Sequence, residues 1–271
     1  MNNLHRELAP ISEAAWAQIE AETTRTLKRY LAGRRVVDVP SPGGAAMPGV
    51  ATGHLLTITP PAEGMIAHQR EVKAFVELRL PFELSRQAID DVERGSEDSD
   101  WQPVKDAAKK FAFAEDRAIF DGYREANIQG IREATSNPVK PLPAGVIDYP
   151  DAVAQALDQL RLVGVNGPYS VLFGADEYTD LAQTRDHGYP VLEHVKHIVD
   201  GDIIWAPAIS GAFVLSRRGG DFELNIGQDV SIGYLSHTDS VVRLYLQETF
   251  TFRVLTSEAS VALLPSNKTS S

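Results

Sequence analysis

The architecture turns on residues 101–120, which read WQPVKDAAKKFAFAEDRAIF. Asp100 stands in front as a capping residue, and Pro103 suits a first helical turn, where its missing N–H costs nothing. At 100° per residue, Val104, Ala107, Ala108, Phe111, Ala118 and Ile119 share one face. Phe113 and Phe120 project nearly opposite. A helix that is apolar on two sides has to be covered on two sides, as a central spine or at a contact between subunits. Glu115 falls in the middle of the main apolar face and reads as a buried, paired carboxylate. Arg117 points elsewhere around the helix, so the partner of Glu115 must come from another part of the chain.

Upstream of this helix lies a run of acids, Asp90, Asp91, Glu93, Glu97, Asp98 and Asp100. It lacks the ligand ladder and closing Glu of a calcium loop and reads as solvated surface. Further upstream, Leu55, Leu56 and Ile58 form one β-like run, and Val72, Phe75, Val76, Leu78 and Leu80 another. The turn Pro60-Pro61-Ala62-Glu63-Gly64 separates them. A two-stranded arm of this kind is barely stable alone in water, so it is expected to pack on another subunit. Residues 10–32 read as an amphipathic helix started by Pro10 and Ser12 and ended by Gly33. Its expected inner arc is Trp16, Ile19, Thr23, Leu27, Tyr30 and Leu31. Val36–Val39 reads as a short strand, and Pro40–Pro48 as a loop.

Downstream, Ser136–Gly145 is a Pro-rich connector, followed by a helix over 150–163 closed by Gly164. Strands are expected at 169–173, 203–205, 212–216 and 222–226, the last two joined through Arg218-Gly219-Gly220-Asp221. Short helices are expected at 176–182 and from Pro190, with a polar loop at Thr184–Tyr189 between them. Residues 136–226 therefore read as one α/β lobe. Strands at 230–234, 241–255 and 261–264 follow, then a polar tail from Ser266 that is expected to fray.

Composition narrows the function classes. The chain has 271 residues, 43% hydrophobic and 23% charged, which suits a folded soluble protein with a sizeable core. It has no cysteine, which excludes disulfides, thiolate metal sites and cysteine nucleophiles. No apolar run is long enough to span a membrane, and Met1–Pro10 lacks a signal-peptide core, so a cytoplasmic protein is expected. The net charge of −11 argues against a nucleic-acid binder. Lys28, Arg29, Arg34 and Arg35 form one short basic cluster. No dinucleotide, phosphate-loop or nucleophile-elbow motif is present. Glu193-His194 with His197 places the histidines at i, i+3, the wrong spacing for a zinc helix. No catalytic residue, metal ligand or cofactor is expected.

A set of short stretches in order along the chain carries a resemblance. They are Leu8-Ala9-Pro10 with Trp16, Gly33 to Val39, Asp90 to Gly95, Glu115-Asp116 with Ile119-Phe120 and Gly122, and Gly167-Pro168-Tyr169. His187 to Pro190, Arg218 to Phe222, Gly227 to Tyr234, Val242 to Leu244 and Glu248 to Phe252 complete it. The sequence resembles the encapsulins, linocin-like shell proteins of bacterial nanocompartments. The resemblance implies an α+β, tailed-phage (HK97-type) capsid fold. It assigns residues 1–49, 81–135 and 227–271 to a peripheral domain, 50–80 to an extended loop and 136–226 to an axial domain. It implies self-assembly into a hollow icosahedral shell, usually T=1, around a cargo enzyme such as a dye-decolorising peroxidase or a ferritin-like protein. The cargo's C-terminal targeting peptide would dock on Leu27, Leu31, Arg34, Asp38 and Val39, with Ile232 and Tyr234 as a further wall. Thr184, Arg185, Asp186, His187, Gly188 and Tyr189 would line a five-fold pore. Some encapsulins stack a flavin on an aromatic after the P-F-x-L strand; Gln87 stands there in this sequence and offers no stacking face, so no flavin is expected. The alternatives are a phage-derived capsid protein and, in another class, a protease or bacteriocin-type enzyme.

Overall fold

The computed structural model describes residues 3–266. The first helix, α1 (Glu13–Tyr30), starts where the Ser12 hydroxyl accepts the Ala15 N–H at 3.2 Å. Ala15, Ile19, Glu22, Thr23 and Thr26 form its buried stripe, while Trp16 and Leu27 are only partly buried. The inner arc is thus rotated from the one expected. Gly33 follows α1 for a reason other than a left-handed turn: a Cβ there would lie 2.6 Å from Ile119 Cδ1. Val36–Val39 is not a strand. A 3-10 turn at Gly33–Arg35 precedes it, and the segment makes a single bridge, Asp38 to Glu223.

The antiparallel pair β1 (Gly49–Ile58) and β2 (Ala67–Ala74) forms a sheet of its own. Leu55, Leu56, Ile58, Met65, Ile66 and Val72 are all exposed along it. β3 (Val76–Ser85) then enters the body and leads into α2 (Arg86–Glu93). The acidic run concealed this helix. Ala88, Ile89 and Val92 face inward while Asp90 lies outside. α3 (Gln102–Phe120) is the spine, and Asp100 Oδ1 accepts the Gln102 N–H at 2.9 Å just ahead of it.

The rest of the chain supplies α4 (Ile131–Ala134), β4 (Lys140–Leu142), α5 (Tyr149–Leu162), β5 (Tyr169–Phe173) and α6 (Ala175–Gln183). There follow β6 (Arg185–Asp186), β7 (Tyr189–Pro190), α7 (Val191–Ile198), β8 (Ile203–Trp205), β9 (Ala212–Ser216) and β10 (Phe222–Ile226). β11 (Ser231–His237), β12 (Val241–Val254) and β13 (Ser260–Pro265) complete it. β12 organises one sheet: β3 pairs along one edge, and β11 and β10 lie end to end along the other. A five-stranded mixed sheet runs β4-β13-β9-β5-β8.

Two expectations about the lobe change here. β9 and β10 do not form a hairpin across Gly219-Gly220, because β9 pairs with β5 and β13 while β10 pairs with β12. The reversal itself is real, since both glycines have positive φ (84° and 78°). β13, expected with the long strands, instead sits inside the lobe's sheet. Ser266 is held rather than frayed, its N–H donating to the Leu142 carbonyl at 3.0 Å. The remainder of the expected polar tail, 267–271, lies outside the described residues.

Two hydrophobic cores result. One joins α1, α2, the first half of α3 and the β12 sheet through Ile19, Ile89, Val104, Phe111, Leu244 and Leu246. The other takes Ala118, Ile119 and Phe120 from the last turn of α3 and packs them with the five-stranded sheet and α5. The two-sided apolar character of α3 is therefore distributed mainly along its length. Phe113, away from both cores, meets Tyr30 edge-on at 5.9 Å between ring centroids.

Candidate functional site

Between the two cores α3 carries two fully buried acids, Glu115 and Asp116. Each is answered from the segment that follows α1. Asp116 accepts the backbone N–H groups of Ala32 and Gly33, both at 2.9 Å. Burial pushes its carboxyl up to about 7, against the pull of those two donors. Arg34 is the missing partner of Glu115: Nε and one terminal nitrogen grip its carboxylate at 2.8 and 2.6 Å, a two-point contact. The same guanidinium reaches Glu248 of β12 at 2.6 Å and Asp229 at 2.9 Å. Burial would lower the Arg34 pKa, but the Glu115 contact and the charges of Glu248 and Asp229 outweigh it and raise it. Glu248 is pushed well above the ordinary carboxylate range by burial, then by the nearby charge of Glu115, which Arg34 only partly offsets. A single guanidinium facing three carboxyls is thus balanced most readily with Glu248 protonated.

Arg34 and Asp229 of this cluster also line an open depression of about 360 Å³. Leu27 and Leu31 supply its apolar wall, Arg34 and Asp229 its charged end, and Thr24, Lys28, Arg35 and Val230 the rest. Of the sequence-derived peptide-site residues, then, Leu27, Leu31 and Arg34 come together. Asp38 does not join them. Its carboxylate accepts the Gly220 N–H at 2.6 Å, and it lines a separate polar depression that shares only Arg35 with the first. Val39 is exposed beyond Asp38. Ile232 is buried in the first core. Tyr234 is half-buried, its N–H donating to the Leu4 carbonyl at 2.8 Å and its hydroxyl hydrogen-bonded to His237 Nδ1 at 2.6 Å. The segment before α1 therefore lies against that part of β11. Thr24, Lys28, Arg35, Asp229 and Val230 were missed as lining residues. The Gly227–Tyr234 stretch was the signal available for two of them.

The second set of expected residues forms a tight hairpin rather than an open loop. Arg185 pairs with Pro190 and Asp186 with Tyr189. His187 and Gly188 both take positive φ (46° and 87°), the geometry of a type I′ turn. Thr184 anchors the base by accepting the Val191 N–H at 3.0 Å. The His187 side chain is 98% exposed, with Nε2 3.7 Å from Asp186 Oδ1. Gly188 lets Arg185 donate to its carbonyl at 3.3 Å. Among the described residues no helix is long and apolar enough to cross a membrane.

The spine helix, the β12 sheet, the second lobe and the projecting arm define a capsid-type shell subunit. A virus-like particle from Pyrococcus furiosus matches with a TM-score of 0.62 at 16% identity, covering 91% of this chain and 98% of that one. The structure titled Gordonia phage Cozz matches with a TM-score of 0.55 at 13% identity, covering 86% of each chain. These matches establish the HK97-type capsid fold. The family model described as "Encapsulating protein for peroxidase" matches residues 1–251. Type 1 encapsulin shell proteins of Mycobacterium tuberculosis and Brevibacterium linens are 62% and 56% identical, each match covering 97% of this chain and 99% of the relative. The chain belongs to the encapsulin shell-protein family, and its function is structural: it self-assembles into a shell.

Proposed function

We propose that the assembled shell is a closed icosahedral T=1 particle in the cytoplasm that encloses a peroxidase and has no catalysis of its own. The description of the matching family supports the cargo class; a ferritin-like protein is the second candidate. The depression at Leu27, Leu31 and Arg34 carries this reading, because it combines an apolar wall with a fixed charge at one end. That combination suits a short peptide presenting leucine or isoleucine anchors and a polar flank. The cargo's C-terminal targeting peptide is the occupant proposed. Asp38 and Val39 would meet it only where it runs past Arg35, and Ile232 would support the floor from beneath. Tyr234 would contribute once the segment before α1 gives way.

The division into a peripheral domain, an extended loop and an axial domain belongs to the same proposal, with β10 reassigned to the first and β13 to the last. The 184–189 hairpin would ring the five-fold axis, with Asp186 and His187 setting the charge of the opening. Shells carrying Leu27→Asp, co-expressed with a peroxidase bearing its native C-terminus, are expected to assemble normally and purify empty. Cargo retained at the wild-type ratio, read by gel densitometry, removes the depression from the proposal.

A further inference from the structure

A second cleft, on the other side of α1, has no part in the reading above. It lies between α1 and α3, has a volume of about 540 Å³, and is walled by Arg25 and Arg29 from one helix and Lys105 and Lys109 from the other. Each helix thus presents two cations one turn apart, about 6 Å between their Cβ atoms, across a shared groove. Like charges at this spacing destabilise a helix, and facing pairs add to the repulsion. Such a concentration stands out in a chain of net charge −11.

Two carboxylates also line the cleft, and against its four cations they leave a net charge of +2. Glu22 is engaged by Arg25 and the Thr26 hydroxyl, and Asp106 accepts from the Gln102 side-chain amide at 2.8 Å. Arg29, Lys105 and Lys109 make no ion pair with a carboxylate among the described residues. Lys105 is half-buried in this state. A local rule broken at several positions, with aromatic faces beside Arg29 and Lys109 as the offset but no carboxylate partner, marks a place suited to an anion from outside the chain.

We infer that the α1–α3 cleft binds a compact multivalent phosphate anion of the oligophosphate class. Three cations without a carboxylate partner around one small volume favour a ligand of high charge density. Arginine supplies a planar fork and the lysines supply mobile point charges, a combination that fits phosphate oxygens. The wall offers no free stacking surface for a nucleobase. Tyr30 is the aromatic lining the cleft, and both Lys109 and Arg29 already lie near its ring, 5.4 and 5.9 Å from its centroid. The cleft therefore selects charge over base.

Equilibrium dialysis of assembled shells against tripolyphosphate tests this. Wild-type shells are expected to bind about one equivalent per subunit, more weakly as ionic strength rises. The Lys105→Gln/Lys109→Gln variant is expected to lose at least tenfold in affinity. A control, Lys110→Gln/Lys140→Gln, removes the same charge elsewhere and is expected to keep wild-type affinity. If the first variant fails to assemble, Arg29→Gln is read in the same assay, with a severalfold loss expected. Equal weakening in cleft and control variants overturns the inference, as does an absence of binding to wild-type shells. Displacement of tripolyphosphate by a single-stranded oligonucleotide at lower concentration overturns it in favour of a nucleic-acid surface.

Discussion

The β1–β2 arm and the junction around Arg34 break opposite rules of a packed domain. The arm exposes large apolar side chains, Ile66 at 84% exposure. The junction buries ionisable groups, with Glu115 and Glu248 fully out of solvent. The junction is resolved within the chain, because Arg34 reaches both acids and Asp229 together. Nothing within the described chain buries Leu55, Leu56, Ile58, Met65, Ile66 or Val72. One region stabilises a subunit, and the other leaves apolar surface that the subunit does not bury. A shell subunit needs both, since it has to fold alone and then be incomplete alone.

Three experiments probe that contrast, the largest effect first. Leu55→Lys/Leu56→Lys/Ile66→Lys is expected to abolish assembly while changing subunit stability by less than about 1 kcal/mol, because these side chains are solvated in the lone chain. Size-exclusion chromatography and urea melts read the two quantities separately. Shells forming at normal yield, or a subunit that unfolds, contradict the division of labour. Arg34→Met is expected to do the reverse and destabilise the subunit by about 3–5 kcal/mol, since it strands two acids in the interior. A loss below about 1 kcal/mol shows that Glu115 and Glu248 find water or protons without it.

The smallest effect is the pH dependence at Asp116. Its folded pKa of about 7 exceeds the unfolded value of 3.8, so the native state holds the proton more tightly. Stability from this group is complete below the unfolded pKa and is lost as pH rises through the folded one. Between pH 6 and pH 8 the subunit is expected to lose about 1 kcal/mol through it. Asp116→Asn is expected to flatten that slope in melts at both pH values, and an unchanged slope assigns it to another group, with Glu248 the next candidate.

The spine was legible because nineteen residues of helical periodicity leave little choice, and the observed α3 differs from the expected helix by one residue at its start. Glu115 announced itself as a paired carboxylate by sitting on an apolar face. Its partners could not be named from local pattern, since Glu115 lies 81 positions from Arg34, and Arg34 lies 214 from Glu248. The β9–β10 error has a clear physical source. Gly219 and Gly220 specify that the chain reverses, but β-pairing is decided by what lies across from a strand, and β12 outcompeted β9 for β10. Val36–Val39 is rich in β-branched residues like a strand, yet only Asp38 meets a partner. The acids of α2 concealed a helix because only three of its residues face inward. For the candidate site, the family resemblance brought Leu27, Leu31 and Arg34 to one depression, while Asp38 belonged to the neighbouring turn at Gly220.

The place of β13 has a consequence for biosynthesis. It lies between β4 and β9, so two strands made much earlier wait for residues 260–265 before their shared sheet closes. A nascent chain still missing that segment has an open seam through its second core. A polypeptide that stops short of residue 260 is therefore expected to fold with its second core unclosed, and to reach assembly, if at all, as a weakened subunit.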